Sequence, residues 1–205
     1  MPRPKEFDRE AVMEIARDVF WRQGYRATST EDLRLAMGIG RQSFYDSFGG
    51  KRQLYLEVLR RYNSDGIEAC IATLSAARSP LAALAALLLL YSRETPPRRA
   101  LGCMGVAAMN EFGVSDPEVA RIGNSSSARL ESLLRRLLRD AQAKGEVRAS
   151  LNERAAARQL YATILGLKVM SKAGASPEAL RDVAVAALEG MAASRPARTR
   201  GALRS

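Results

Sequence analysis

A run of polar side chains between Arg41 and Ser47 has the chemistry needed to read DNA. Arginine makes paired hydrogen bonds to guanine and glutamine makes them to adenine, so Arg41 and Gln42 suit base recognition in the major groove. Serine and tyrosine hydroxyls reach phosphates, which position a protein on DNA without specifying a sequence. Ser43, Tyr45 and Ser47 supply such hydroxyls. The run therefore predicts one outward polar face that contacts both bases and phosphates.

The flanking residues predict two short helices that hold this run in place. Ser29 is a favoured N-cap residue, and Asp32, three positions later, can complete a capping box. Gly38 stands where the first helix ends and the backbone takes a positive φ angle. Phe44 and Phe48, spaced i, i+4, give the second helix an apolar inner side. Two helices joined by a glycine turn form the general helix-turn-helix pattern, although the spacing alone also fits a surface hairpin of a helical bundle.

The stretch from Phe7 to Tyr62 resembles the N-terminal DNA-binding domain of the TetR family of bacterial transcriptional regulators. The matching residues recur at fixed offsets: Phe20, Gly24, Tyr25, Ser29, Thr30, Leu33, Met37, Gly38, Ile39, Ser43, Phe44, Tyr45, Phe48, Lys51 and Leu54. The resemblance implies an all-α fold of about nine helices. It comprises an N-terminal three-helix helix-turn-helix DNA-binding domain and a C-terminal helical ligand-binding and dimerisation domain. Gly49–Gly50 departs from the polar pair that many members carry there.

The resemblance also implies which side chains contact DNA. Tyr45 and Lys51 are expected to contact phosphates and Thr30 the DNA backbone. Arg41, Gln42 and Ser43, at the start of the second helix, are the candidate base readers. The partner is double-stranded operator DNA, bound by a homodimer whose recognition helices lie about one DNA turn, ~34–36 Å, apart. The full set of expected DNA-binding residues is Thr30, Arg34, Arg41, Gln42, Ser43, Tyr45, Ser47 and Lys51.

Composition limits the other classes of function. The chain has 205 residues, no histidine, two cysteines and a net charge of +10. The absence of histidine removes the usual general base and the commonest zinc ligand, so no catalytic residue, metal or cofactor is predicted. The basic charge favours an acidic partner, but it is spread along the whole chain. The cysteines form no CxxC motif, and a reducing, cytoplasmic location is expected.

A membrane-surface protein is an alternative that the basic charge and amphipathic helices also allow. It would bind lipid and would show no sequence-selective binding of DNA. The longest apolar run, residues 81–91, is too short to span a bilayer. No membrane partner is therefore expected.

The pattern of apolar residues divides the chain into four parts. Residues 1–50 are expected to be the DNA-binding domain, 51–77 a linking helix, 78–193 the effector-binding and dimerisation domain, and 194–205 a disordered basic tail. Arg3 and Lys5 lie in an N-terminal arm that could follow the DNA beside the recognition helix.

Three stretches contain residues that disfavour helix. Residues 63–66 predict a bend in the linking helix, and residues 123–127 predict a weak point in a later one. Residues 95–99, which include two prolines, predict a break before a helix over about 101–112.

Two hypotheses concern what the second domain senses. The first is a small apolar effector bound among helices, because apolar and methionine side chains often line ligand sites. Core packing alone also explains such residues, and more often. The candidate walls are Leu87, Tyr91, Met104, Met109, Phe112, Tyr161 and Leu165.

The second hypothesis concerns Cys103, which is expected in the first turn of a helix just after Arg98 and Arg99. Helix-terminal N–H groups and nearby cations lower the pKa of a thiol. The Gly102–Cys103 start also resembles a TetR branch that includes the N-ethylmaleimide-responsive repressor, in which the corresponding cysteine senses electrophiles. An inert buried cysteine fits as well, and Cys70 is interpreted as a core residue. The sequence therefore favours a homodimeric repressor released by an apolar effector or, alternatively, by modification of Cys103.

Overall fold

The computed structural model describes residues 7–193, and this part of the chain is all-α with no β-strand. The expected arm residues Arg3 and Lys5 and the tail 194–205 lie outside the described residues. The helices are α1 (Arg9–Gln23), α2 (Thr30–Met37), α3 (Arg41–Phe48), α4 (Lys51–Ser75), α5 (Pro80–Arg93), α6 (Pro96–Leu101), α7 (Met104–Phe112), α8 (Pro117–Ala143), α9 (Glu153–Lys172) and α10 (Pro177–Glu189). None of these helices is long and apolar enough to cross a membrane. The predicted fold class is confirmed.

The start of α2 carries the capping box that the sequence predicts. The Ser29 hydroxyl accepts the Asp32 N–H at 3.0 Å, and the Asp32 carboxylate accepts the Ser29 N–H at 2.8 Å. Gly38 ends the helix with φ of 65°, a left-handed conformation that favours glycine. These two local features fix the length of α2 and direct the chain into α3.

Replacing Ser29 with alanine is expected to lower the free energy of unfolding by about 0.5–2 kcal/mol, because the N-terminal N–H groups of α2 lose a partner. Urea denaturation followed by circular dichroism measures the change. Ser43→Ala is the control, since Ser43 is exposed on α3 and should leave the unfolding midpoint in place. Equal midpoints for the two variants would contradict the capping role.

Two hydrophobic clusters lie at opposite ends of α4. The first joins α1–α3 to the N-terminal half of α4, and it also takes in Met104 and Ala108 of α7 and Val119 and Ile122 of α8. The second joins the C-terminal half of α4 to α5, α8, α9 and α10. Helices of the second domain therefore complete the core of the first, and α4 is common to both.

Both long helices continue through the stretches that disfavour helix, and the bend expected at residues 63–66 stays a prediction. Helix α4 runs unbroken through residues 63–66 because Ile67 and Leu74 beyond them are buried in the second cluster. Tertiary packing here outweighs the weak helix propensity of the intervening residues. Helix α8 likewise continues through residues 123–127, where the Ser127 hydroxyl lies 2.8 Å from the Gly123 carbonyl and 2.7 Å from the Tyr161 hydroxyl.

The expected break at residues 95–99 is a short helix instead. Pro96 and Pro97 occupy its first turn, where a backbone N–H has no helical partner and proline fits well. Gly102 ends α6, and the following helix begins at Met104 rather than near residue 101.

Candidate functional site

Helix α3 presents its polar side to solvent, as the sequence predicts. Phe44 and Phe48 are buried, with 0% and 4% of their surface exposed. Tyr45 between them is 43% exposed. The exposed polar residues of this helix are Arg41, Gln42, Ser43, Tyr45 and the acidic Asp46, whereas Ser47 is half-buried. The arrangement can offer several donors at once to a groove of DNA.

Aromatic packing holds the underside of α3 against the residues that lead into α1. The Phe48 ring lies 5.9 Å from the Phe44 ring and 6.4 Å from the Phe7 ring. The Arg9 guanidinium lies 5.2 Å above Phe48 and forms an ion pair with Glu57 of α4 at 2.7 Å. The orientation of α3 is thus fixed by contacts on the side opposite its polar face.

The exposed side chains of α3 are only partly occupied within the chain. Gln42 donates from Nε2 to the Asp46 carboxylate at 2.9 Å, one turn along the same helix. A base contact by Gln42 would replace this exposed, intrahelical hydrogen bond.

Two of the remaining predicted DNA-binding residues already have partners. The Lys51 ammonium donates to the carbonyls of Tyr25 at 3.0 Å and Thr28 at 2.7 Å, and it lies 4.2 Å from the centre of the Tyr25 ring. One of its three N–H groups remains for another acceptor. Arg34 of α2 forms an ion pair with Glu31. Thr30, the first residue of α2, is half-buried.

A carboxylate of α7 is bound to the turn between α1 and α2. Glu111 accepts the backbone N–H of Tyr25 at 3.0 Å and that of Arg26 at 2.6 Å. The Arg26 guanidinium in turn donates to the Glu111 carbonyl at 3.1 Å. Sequence reasoning missed Glu111, because its partners lie more than 80 residues away and no local pattern marks them.

An ion-pair cluster makes a second link between the domains. Arg52, in the first turn of α4, donates to both oxygens of Asp116 at 2.5 and 3.1 Å and to Glu118 at 2.8 Å. Hydrogen bonds from this guanidinium hold the pKa of Asp116 at about 2, below its ordinary value. Asp116 also caps α8, so the start of α8 is attached directly to the start of α4.

A cavity of about 390 Å³ lies next to these links, bounded by residues of α1 and of α4 to α9. Most of the predicted wall residues line it: Leu87, Tyr91, Met109, Tyr161 and Leu165. The prediction was wrong for Met104 and Phe112, which pack in the first cluster against the DNA-binding domain. Helix α7 turns the face with Met104 and Phe112 toward α1–α4 and the face with Met109 toward the cavity. Both faces are apolar, so the sequence of the helix does not distinguish them.

Cys103 lies on the cavity wall as the N-cap residue of α7, not within its first turn. Burial raises the pKa of its thiol. The charge of Lys168, N–H groups of Val106 and Gly105, and the Tyr62 hydroxyl outweigh that effect, so the pKa of Cys103 lies below its ordinary value.

The cation with the largest effect on the pKa of the Cys103 thiol is Lys168 of α9, not Arg98 or Arg99 as expected. The Arg98 guanidinium lies instead 4.1 Å above the Trp21 ring. Cys70 also lines the cavity, and burial raises the pKa of its thiol.

Family comparisons match both parts of the chain. Residues 12–58 match the model described as bacterial regulatory proteins of the tetR family, and residues 77–187 match the tetracyclin repressor-like C-terminal domain. An uncharacterized HTH-type transcriptional regulator of Bacillus subtilis, YezE, is 33% identical over 184 residues, which is 89% of this chain and 95% of that protein. The HTH-type transcriptional repressor ComR of Escherichia coli is 31% identical over 196 residues, covering 89% and 88%.

A solved structure shows the same arrangement of helices together with DNA. A cysteine mutant of the TetR-family regulator CifR, complexed with 26 bp double-strand operator DNA, has a TM-score of 0.78 and 28% identity over 92% of this chain and 99% of that one. The fold and the outward polar helix define a helix-turn-helix DNA-binding regulator. The chain belongs to the TetR family of bacterial transcriptional regulators. Binding of operator DNA, dimerisation and effector binding are typical of this family, which is typically non-enzymatic.

Proposed function

We propose that this protein is a homodimeric, cytoplasmic transcriptional repressor that holds a palindromic operator until a small molecule enters its cavity, and that it is not an enzyme. One observation carries the proposal. Helix α3 exposes Arg41, Gln42, Ser43 and Tyr45 above an underside formed by the buried Phe44 and Phe48, while α4 and α7 connect that domain to the cavity. In this division residues 1–50 bind DNA, 51–77 link, and 78–193 bind effector and partner subunit.

Some side chains of α3 suit contacts with bases and others suit contacts with phosphates. Arg41 and Gln42 stand at its exposed N-terminal end, which suits contact with base edges. Ser43 is placed to assist them, while Tyr45 and the free N–H of Lys51 suit phosphates. Thr30, Arg34 and Ser47 then contact the backbone or support the neighbouring residues that do.

Release of DNA follows from the two links between the domains. Met109, which lines the cavity, and Glu111, which binds the turn between α1 and α2, belong to the same helix, α7. A ligand that displaces α7 therefore displaces the turn that precedes α2 and α3. The Arg52–Asp116 contact transmits movement of α8 to α4 in the same way. The effector would favour the conformation in which the two α3 helices no longer reach both half-sites.

A gel-shift experiment on the DNA upstream of the protein's own gene tests this function. A discrete complex should persist in excess random DNA and should disappear when a cavity ligand is added. Complex formation that random DNA abolishes completely would contradict an operator-binding role.

A second candidate effector is an electrophile that modifies Cys103. The lowered pKa of this thiol and its place on the cavity wall support the idea. Cys103→Ser is expected to abolish release of DNA by quinones or aldehydes, whereas Cys70→Ser should leave release intact because burial keeps that thiol protonated. The measurement is the operator-bound fraction against electrophile concentration. Unchanged release by Cys103→Ser would contradict the sensing role.

A further inference from the structure

We propose that the cavity binds a small anionic amphiphile, a carboxylic acid with an apolar tail, whose head group is held by Lys168 and Ser171 of α9. This proposal rests on the proposed function, because it names the class of effector for the same cavity.

Ser171 is a buried donor without a partner. Its side chain is 3% exposed, its hydroxyl makes no hydrogen bond to any described residue, and it lines the cavity. A serine in a helix usually satisfies itself on the carbonyl of the preceding turn. A hydroxyl left unsatisfied in the interior is unfavourable, because it has lost its hydrogen bonds to water. A ligand oxygen that accepts this hydrogen bond would recover that free energy.

Lys168 stands one turn before Ser171, on the same side of α9. It lines the cavity, and among the ion pairs of residues 7–193 none includes its ammonium. Its charge acts on the thiols of Cys103 and Cys70 and on the carboxyl of Glu94. A carboxylate can accept hydrogen bonds from the ammonium and the Ser171 hydroxyl together. Such charge-assisted hydrogen bonds are roughly twice as strong as neutral ones.

The remaining charges of the wall do not satisfy Lys168. Arg17 is paired with Glu14 and Asp18, which lie on its own helix. Arg98 is a further cation on the wall, and its guanidinium lies over the Trp21 ring. Glu94 lies on the wall and its carboxyl, whose pKa burial raises, is acted on by the charge of Lys168, but among the described residues the two form no ion pair. Asp65 is exposed at the edge of the cavity. The wall thus retains an ammonium that an anionic head group would complement.

The rest of the cavity suits an apolar tail of limited length. Leu87, Tyr91, Leu130, Ile164 and Leu165 line it. The volume of about 390 Å³ lies near the lower end of ordinary ligand pockets. At about 30 Å³ per water molecule in the liquid, this volume holds roughly a dozen non-hydrogen atoms. A carboxylic acid with eight carbons in total fits within that volume.

Three probes with the same tail separate the head groups: octanoate, 1-octanol and octylamine. Thermal unfolding of the full-length protein is followed as each probe is titrated. Octanoate is expected to raise the Tm at a concentration at least tenfold lower than 1-octanol, and octylamine should be weakest because Lys168 repels it. Equal stabilisation by all three probes would overturn the proposal.

Variants of α9 locate the head group. Lys168→Met keeps the length and apolar stem of the side chain, and it is expected to remove the advantage of octanoate while binding of 1-octanol stays the same. Ser171→Ala should weaken the binding of octanoate several-fold. Lys144→Met is the control, since this exposed lysine at the end of α8 lies outside the cavity wall. An octanoate preference that survives Lys168→Met would overturn the proposal.

Operator binding is measured separately, by gel shift, with and without octanoate. Octanoate that raises the Tm but leaves the operator complex intact would uphold the ligand class and contradict the effector role. Failure of the ligand-free protein to bind any operator would contradict the proposed function, while the Tm series would still decide the ligand class.

Discussion

Phe44→Ala is expected to lower the free energy of unfolding by about 3–5 kcal/mol, the usual range for removing a buried phenylalanine ring. Phe44 has 0% of its surface exposed and lies between the Phe48 ring at 5.9 Å and the Tyr45 ring at 5.5 Å. A loss of this size is a large fraction of the 5–15 kcal/mol that stabilises an ordinary domain. The variant should therefore lose DNA binding through unfolding of the domain that carries α3.

Urea denaturation, followed by circular dichroism, measures the loss of stability. Tyr45→Ala is the matched control, because it removes a neighbouring ring that is 43% exposed and should cost far less. Equal losses in the free energy of unfolding for the two variants would contradict the burial of Phe44 on the inner side of α3 and the exposure of Tyr45 on its outer side.

Arg41→Ala is expected to weaken binding to the operator by about 1–3 kcal/mol while changing affinity for random DNA much less. Arg41 is exposed at the start of α3, so its removal should leave the fold intact. The physical reason is that a base contact contributes only on the correct sequence. Phosphates are present on every sequence.

Fluorescence anisotropy at one fixed salt concentration compares the operator with a scrambled duplex. Tyr45→Phe is the matched variant, since it keeps the ring against Phe44 and removes only the hydroxyl. Tyr45→Phe should weaken binding to both duplexes equally. Equal losses on the two duplexes for Arg41→Ala would contradict its role as a base reader.

Local sequence patterns predicted the DNA-binding helices well. The Ser29–Asp32 capping box, the positive φ angle of Gly38 and the burial of Phe44 and Phe48 all depend on residues a few positions apart. Spacing of this kind is read directly from the chain, because a helix repeats every 3.6 residues.

Long-range contacts were beyond the same reasoning. Glu111 meets Tyr25 across 86 residues, and Arg52 meets Asp116 across 64. Helix α7 is apolar on two faces, so its sequence did not show that Met104 would turn toward the DNA-binding domain. The unpartnered hydroxyl of Ser171 likewise emerged only from the packing of α9 around the cavity.

A hydroxyl-radical footprint on the operator fragment tests most directly whether two α3 helices read DNA together. We expect two protected segments on symmetric half-sites, with centres about one helical turn, 10–10.5 bp, apart. Arg41→Ala should lose both segments at protein concentrations that protect them in the unmodified protein. Uniform protection along the fragment, or a single protected segment without a symmetric partner, would contradict the account.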